Sequence, residues 1–124
     1  MIYQAKILRL GESVEGEVML QIGNTELTCF AYNFAIEVGS SYPVELNLFD
    51  DYTVEERPDG LEPSIVRVGN TFSYVITGRL NGRYLESGEL TFEDDMLLSD
   101  FGYLDGKMVA MKVDRIDADF DLEQ

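Results

Sequence analysis

The side chains in this sequence with the most capacity for chemistry are its carboxylates, 24 Asp and Glu residues against 9 Lys and Arg in 124 residues. Two carboxyl groups can act as general acid and base, or cleave a glycosidic bond, when both project into an apolar cleft at a defined separation. Here the acids fall in predicted loops or on the polar face of predicted strands. Because Asp and Glu are rarely buried, this placement predicts a solvated surface.

Other catalytic and metal-binding groups are scarce, since histidine is absent and cysteine occurs once. This excludes Ser-His-Asp and Cys-His catalysis, histidine metal sites and an intrachain disulfide. Cys29 lies in the apolar run 27–31 and is predicted to be a small buried hydrophobe. Residues 117–121 carry acids at alternate positions, as an EF-hand loop does, but Leu122 stands where that loop needs glycine. We therefore expect a protein that is not an enzyme, with no catalytic residue, no metal site and no cofactor.

The net charge of −15 limits the classes of partner. Binding to a phosphate backbone needs clustered Lys and Arg, and an anionic membrane surface would repel this chain. Residues 1–6 lack the basic segment that precedes the apolar stretch of a secretory signal. No apolar run approaches the roughly 18–20 residues that span a bilayer. We expect a cytoplasmic protein with no nucleic-acid and no membrane partner.

Apolar and polar residues alternate along most of the chain, which is typical of an antiparallel sheet with one solvated face. In residues 14–22, for example, Val18, Leu20 and Ile22 share one face. No segment keeps a helical period for ten residues, although a short helix is predicted around residues 95–98. The fold class predicted is all-β: residues 1–124 form a single acidic domain, a small antiparallel barrel or sandwich of about seven or eight strands, with at most short helical turns.

Turn signals divide these strands. Gly23-Asn24 predicts one hairpin, and Asn81-Gly82 predicts another with a type I′ turn. The apolar phase changes near Asp114, which predicts a bulge or a strand end there. Gly78 and Gly88 interrupt predicted strands and suggest bends. A curled, glycine-bent meander with one long insertion resembles the OB-fold class of barrels in its general pattern.

Two stretches, about residues 50–64 and 93–106, are predicted to be irregular insertions. The first carries six acids against Arg57 alone and is interrupted by Pro58, Gly60 and Pro63. The second belongs to the last 39 residues, where twelve acids face three bases. Long irregular segments in compact domains tend to be functional or disordered.

These insertions supply the predicted binding residues. Their carboxylates would mimic phosphates, and their aromatic residues would act as anchors in a protein interface. The acids are Asp50, Asp51, Glu55, Glu56, Asp94, Asp95 and Asp100, and the aromatic anchors are Tyr52, Phe101 and Tyr103. The function predicted is a non-enzymatic acidic protein that binds a basic protein surface, in concrete form an inhibitor or immunity-type protein for a nuclease or toxin.

Three alternatives remain open. The charge serves solubility alone. The domain is a structural or assembly module that self-associates, as a homo-oligomer, or docks on a larger complex through an edge strand. Pro43, which cannot donate to a ladder, indicates such an edge or a strand start. The barrel mouth holds a small anion, oriented by Arg67, Arg79 or Arg83.

Overall fold

The computed structural model describes residues 1–11, 15–31 and 36–120, which form eleven strands and one short helix in two sheets. The strands are β1 Ile2–Leu10, β2 Glu17–Ile22, β3 Thr25–Phe30, β4 Ser41–Leu48, β5 Tyr52–Arg57, β6 Ser64–Arg67, β7 Tyr74–Asn81, β8 Tyr84–Ser87, β9 Leu90–Glu93, β10 Met108–Val113 and β11 Ile116–Asp119. Helix α1 spans Asp95–Phe101 and continues into a 3₁₀ turn, Gly102–Leu104. The prediction of an all-β fold with at most short helical turns is confirmed, but the described residues form more strands than the seven or eight expected.

The first sheet is a closed barrel of five strands in the order β1-β2-β3-β11-β4, with β4 returning to β1. The pair β3–β11 is parallel, so the expectation of a purely antiparallel barrel is wrong at this seam. The predicted apolar face of β2 is confirmed, because Val18, Leu20 and Ile22 are all buried. Alternation thus places one side of β2 in the core, whereas in β3 the consecutive residues Leu27, Thr28 and Cys29 are all buried.

The second sheet is inserted between β4 and β11 and has the order β5-β10-β7-β8-β9, with β6 also paired to β7. Residues 52–57, which were expected to be irregular, form its edge strand β5 and pair with β10 over six residues. Tyr52 and Val54 are buried, whereas Thr53 and Glu55, which alternate with them, are exposed. The sequence did not indicate this alternation of buried and exposed residues, because acids are so frequent in the segment.

The predicted hairpins form, with small differences in their turns. Gly23 and Gly82 have φ of 58° and 63°. Asn81 is still paired in β7, so Gly82 and Arg83 form the turn. Because Gly82 alone of the two has a positive φ, the turn is not of type I′; glycine at the first central position is typical of type II′. Gly88, expected to bend a strand, begins the turn between β8 and β9.

Two other sequence signals mark strand boundaries. The phase change near Asp114 is a strand end, because β10 stops at Val113 and β11 begins at Ile116. Pro43 is the third residue of β4, in the half of that strand which pairs with β1 but not with β11. A residue without an N–H donor is tolerated where a strand has one neighbour.

Tyrosine hydroxyls join the two sheets. The Thr28 N–H of β3 donates to the Tyr74 hydroxyl of β7 at 2.7 Å. At the edge of β9, the Thr91 N–H donates to the Tyr3 hydroxyl at 2.7 Å, and that hydroxyl donates to the Thr91 carbonyl at 3.1 Å. Buried apolar side chains of both sheets form one cluster. The barrel and the second sheet therefore share a core.

The turn between β10 and β11 carries a second link. The Arg115 guanidinium lies 4.0 Å from the ring centroid of Phe30 and 3.7 Å from that of Phe49. Its Nε also donates to Asp117 Oδ1 at 2.7 Å. This cation between two aromatic faces fastens the barrel to the start of the insertion. In the described part of the chain, no helix is long and apolar enough to cross a membrane.

Candidate functional site

Tyr52, the first residue of β5, connects the two predicted acidic segments. Its hydroxyl donates a hydrogen bond of 2.6 Å to Asp94 Oδ2, in the residue that precedes α1. Its ring stacks on Phe101 at the end of α1, with ring centroids 6.1 Å apart and an interplanar angle of 29°. Two segments that are distant in sequence therefore meet at this contact.

Local sequence explains how α1 reaches this position. Leu97 is fully buried, and Phe101 follows it by one helical turn on the same side. Asp94 is extended, with φ −160° and ψ 133°, and its side chain makes no capping hydrogen bond to the helix. The carboxylate accepts a hydrogen bond from the Tyr52 hydroxyl, so this aspartate contacts β5 and does not act as the N-cap acceptor of the helix.

The surroundings keep Tyr52 protonated. Burial raises the pKa of Tyr52 well above its ordinary value, and the hydrogen bond and charge of Asp94 and the charge of Asp100 act in the same direction. A phenolate beside two carboxylates would be repelled by both. The tyrosine thus serves as a neutral donor that fixes a carboxylate in place, and it has no character of a general base.

Three acids around this contact lack a cation. Asp50, Asp51 and Asp100 are exposed, and among the described residues no Lys or Arg lies within ion-pair distance of them. Asp50 has a φ of 63°, a left-handed conformation that aspartate tolerates better than most residues, and it turns the chain from β4 into β5. Their charge is therefore directed to solvent.

The remaining predicted acids are paired or lie farther along β5. Asp95 Oδ1 is 3.0 Å from Arg83 Nη1. Glu55 Oε1 is 3.6 Å from Arg57 Nη2, and Glu56 Oε2 is 3.9 Å from Lys107 Nζ. All three acids are more than half exposed, so these contacts are weak surface ion pairs. The predicted set thus divides into a group at the Tyr52 end of β5 and a group toward its other end.

The three predicted aromatic anchors have different environments. Tyr52 is only 6% exposed, and in the free protein its side chain is engaged by Asp94 and Phe101 rather than presented at the surface. Phe101 is half-buried beneath it, whereas Tyr103 is 75% exposed. The structure adds Leu98, 55% exposed on α1, which the sequence analysis missed. Leu98 follows Leu97 by about 100° around the helix, so it lies beside the buried stripe formed by Leu97 and Phe101 and not within it.

The remaining reactive groups do not form a site. Burial, with a contribution from the Asp117 charge, raises the pKa of the Cys29 thiol, which opposes nucleophilic chemistry. Among the residues that the structure describes, no group of three or more His, Cys, Asp or Glu side chains could hold a metal ion. Asp121 and Leu122 of the alternating acidic run lie outside the described residues.

Each of the proposed anion-orienting arginines is engaged by another group of the chain. Arg67 Nε donates to the Thr71 carbonyl, Arg79 Nη1 donates to the Gly106 carbonyl, and Arg83 pairs with Asp95. An open cleft of about 390 Å³ lies between the β2–β3 turn and the β8–β9 turn, and none of these arginines lines it.

The Glu89 carboxylate at this cleft is already engaged. It accepts hydrogen bonds from the Asn24 N–H at 2.9 Å and the Thr25 hydroxyl at 2.7 Å. These bonds join a turn of the barrel to a turn of the second sheet. Glu89 therefore holds the two turns together and needs no ligand to satisfy it.

Comparison with known proteins places this architecture in a family. Residues 1–121 match the family described as Uncharacterised conserved protein UCP019853. This matched range contains both the barrel and the inserted sheet. No curated protein and no solved structure matches the chain. Because the match covers nearly the whole sequence, the chain belongs to the family Uncharacterised conserved protein UCP019853.

Proposed function

We propose that this protein is a non-enzymatic acidic binding protein that engages a basic protein surface. The contact surface, named here the acidic face, comprises the carboxylates Asp50, Asp51, Asp94, Asp95 and Asp100 and the side chains of Leu98, Phe101 and Tyr103. The observation that carries the proposal is the Tyr52 contact with Asp94 and Phe101, which joins the two acidic segments.

The physical basis is the electrostatic field of exposed carboxylates combined with the apolar surface of exposed side chains beside them. Asp50, Asp51 and Asp100 have no cationic neighbour in the described chain, so their charge extends into solvent and steers a basic partner. Leu98 and Tyr103 supply contact area beside these charges. A protein surface that combines Lys and Arg with an apolar recess complements both properties.

The concrete form that we favour is an inhibitor or immunity-type protein for a nuclease or toxin. Enzymes that bind nucleic acid carry cationic clefts for phosphate groups, and a rigid array of carboxylates can occupy such a cleft. The same charge makes nucleic acid and anionic membranes unfavourable partners. We place this activity in the cytoplasm, and we propose that the five-stranded barrel is of the OB type and serves as the scaffold.

Salt-dependent binding to cationic proteins tests this proposal. The triple variant Asp50→Asn/Asp51→Asn/Asp100→Asn is compared with Glu15→Gln/Glu26→Gln/Glu37→Gln, which removes three exposed carboxylates from the barrel side. Isothermal titration with poly-L-lysine and with a panel of basic nucleases measures both at low and at moderate salt. We expect the first variant to bind about tenfold more weakly and the second to resemble the unaltered protein. Equal losses in both variants would assign the binding to net charge alone.

The alternative of an assembly module is favoured by one observation: within the described residues, one edge of β5 has no paired strand. Self-association through backbone pairing would survive high salt, whereas binding to a basic partner would weaken. Light scattering of the isolated protein at low and at high salt distinguishes the two. A stable oligomer in high salt would support the assembly module.

A further inference from the structure

The outer edge of β5 offers backbone hydrogen-bonding groups to a partner. β5 pairs with β10 on one side, residue for residue from Tyr52–Val113 to Arg57–Met108, without a register shift. In the described part of the chain, no strand or turn makes a backbone hydrogen bond to its other side. A regular six-residue edge of this kind is a template for an additional strand.

Other edges of the second sheet are closed or short. The outer edge of β9 is occupied at Thr91 by the Tyr3 hydroxyl, which both accepts from and donates to that residue's backbone. β6 has four residues and follows Pro63, which has no N–H donor. β5 contains no proline and no bulge, so its edge is the one that remains suited to strand pairing within the described residues.

The charges on this segment decide which strand can pair there. Residues 50–57 carry four acids and one base. Glu55 and Glu56 have side chains 70% and 56% exposed, and their own cations lie at 3.6 and 3.9 Å. Two copies of β5 paired together would oppose like charges, which destabilises a strand pair, whereas a Lys- or Arg-bearing strand would be attracted. The edge therefore discriminates against self-pairing.

We propose that β5 binds an extended basic segment of the partner as an added strand. This inference rests on the proposed function and specifies the chemistry of the partner. Thr53 and Glu55 point to the open face of the sheet, and Tyr52 and Val54 point to the core. The fitting segment has about six residues, with Lys or Arg on the open face and small apolar residues on the other.

Designed peptides test the backbone component separately from charge. The probe is a fluorescent Lys-Val-Lys-Val-Arg-Val peptide, compared with two forms that are N-methylated at odd or at even positions. All three have the same charge, but each methylated form blocks one hydrogen-bonding edge. Fluorescence anisotropy should show one methylated form binding at least about tenfold more weakly and the other binding normally. Normal binding of both methylated forms overturns strand addition and leaves the proposed function standing.

A charge exchange tests whether β5 is the edge used. Glu55→Lys/Glu56→Lys should lose the basic peptide and bind a Glu-Val-Glu-Val-Asp-Val peptide. The matched variant Glu26→Lys/Glu37→Lys changes the net charge equally on the barrel side and should keep the original preference. The same behaviour in both variants overturns the assignment to β5. If no basic peptide and no basic protein binds, the proposed function is overturned as well. If the protein instead forms a dimer through β5, the partner of this edge is a second copy of the chain.

Discussion

The barrel and the inserted second sheet differ in their strand edges: the barrel is closed, whereas the second sheet is open. In the barrel every strand has a neighbour on both sides, because β4 returns to β1. In the described part of the chain the second sheet leaves three edge strands, of which β9 is covered at Thr91 by Tyr3, β6 has only four residues, and β5 is open. The insertion holds the exposed Asp50, Asp51 and Asp100 together with Leu98 and Tyr103, whereas exposed acids without an ion pair in the described chain, such as Glu26 and Glu37, also occur on the barrel. The barrel is thus a closed scaffold, and we propose that recognition belongs to the insertion.

The largest effect that we predict concerns the residue that organises the acidic face. Tyr52→Ala removes a buried ring together with its contacts to Phe101 and Asp94, and it should cost about 3–5 kcal/mol of unfolding free energy. Tyr103→Ala removes a 75% exposed ring and should change that free energy by less than about 0.5 kcal/mol. Urea denaturation measures both. Similar losses in the two variants would mean that Tyr52 does not hold the face together.

A smaller effect is expected where the two regions are joined. Tyr74→Phe removes the hydroxyl that accepts the Thr28 N–H and leaves this buried donor unpaired. We expect a loss of about 1–3 kcal/mol in a single urea transition. Tyr103→Phe, which removes an exposed hydroxyl, is the control. An unchanged midpoint in Tyr74→Phe would show that the hydrogen bond between the sheets adds no stability.

Alkaline pH should weaken the same contacts. Burial raises the pKa of Tyr52 and of Tyr74 in the folded protein above the value of about 10 that tyrosine has in an unfolded chain. The stability that these two protonated side chains contribute is therefore complete below about pH 10 and decreases as the pH rises above it. The urea midpoint should therefore fall between pH 8.5 and pH 11. Tyr52→Phe should show a smaller fall. An equal fall in that variant would assign the alkaline sensitivity to other groups.

The smallest effect is expected for the surface ion pairs of β5. Lys107→Gln removes the cation that lies 3.9 Å from Glu56, and both side chains are more than half exposed. The unfolding free energy should change by less than about 0.5 kcal/mol, since pairs of this kind contribute little. A loss above about 1 kcal/mol would show that Glu56 is needed for the fold and is not available to a partner.

The sequence predicts the local features of this fold well. Period-two burial along β2, the turns that begin at Gly23 and Gly82, and the strand end near Asp114 all follow from interactions within a few residues. The parallel pairing of β3 with β11 joins distant parts of the chain, and no local pattern reports it.

Contacts between distant parts of the chain also limit what the sequence predicts of the candidate site. The residue types were identified, but the burial of Tyr52 depends on Asp94 and Phe101, which lie 42 and more residues away in sequence. Composition counts acids without showing which have cations nearby. Only the folded chain separates the unpaired Asp50 and Asp51 from the paired Glu55 and Glu56.

Chemical-shift mapping is the most direct test of recognition by the insertion. The ¹⁵N-labelled protein would be titrated with poly-L-lysine, and then with the basic Lys-Val peptide, at low salt. We predict that the largest amide shifts fall in residues 50–57 and 94–103, that the barrel strands β1–β3 change little, and that added salt reverses the shifts. Shifts spread evenly over acidic residues of both regions, or concentrated on the barrel, would contradict the proposal that the acidic face is the binding surface.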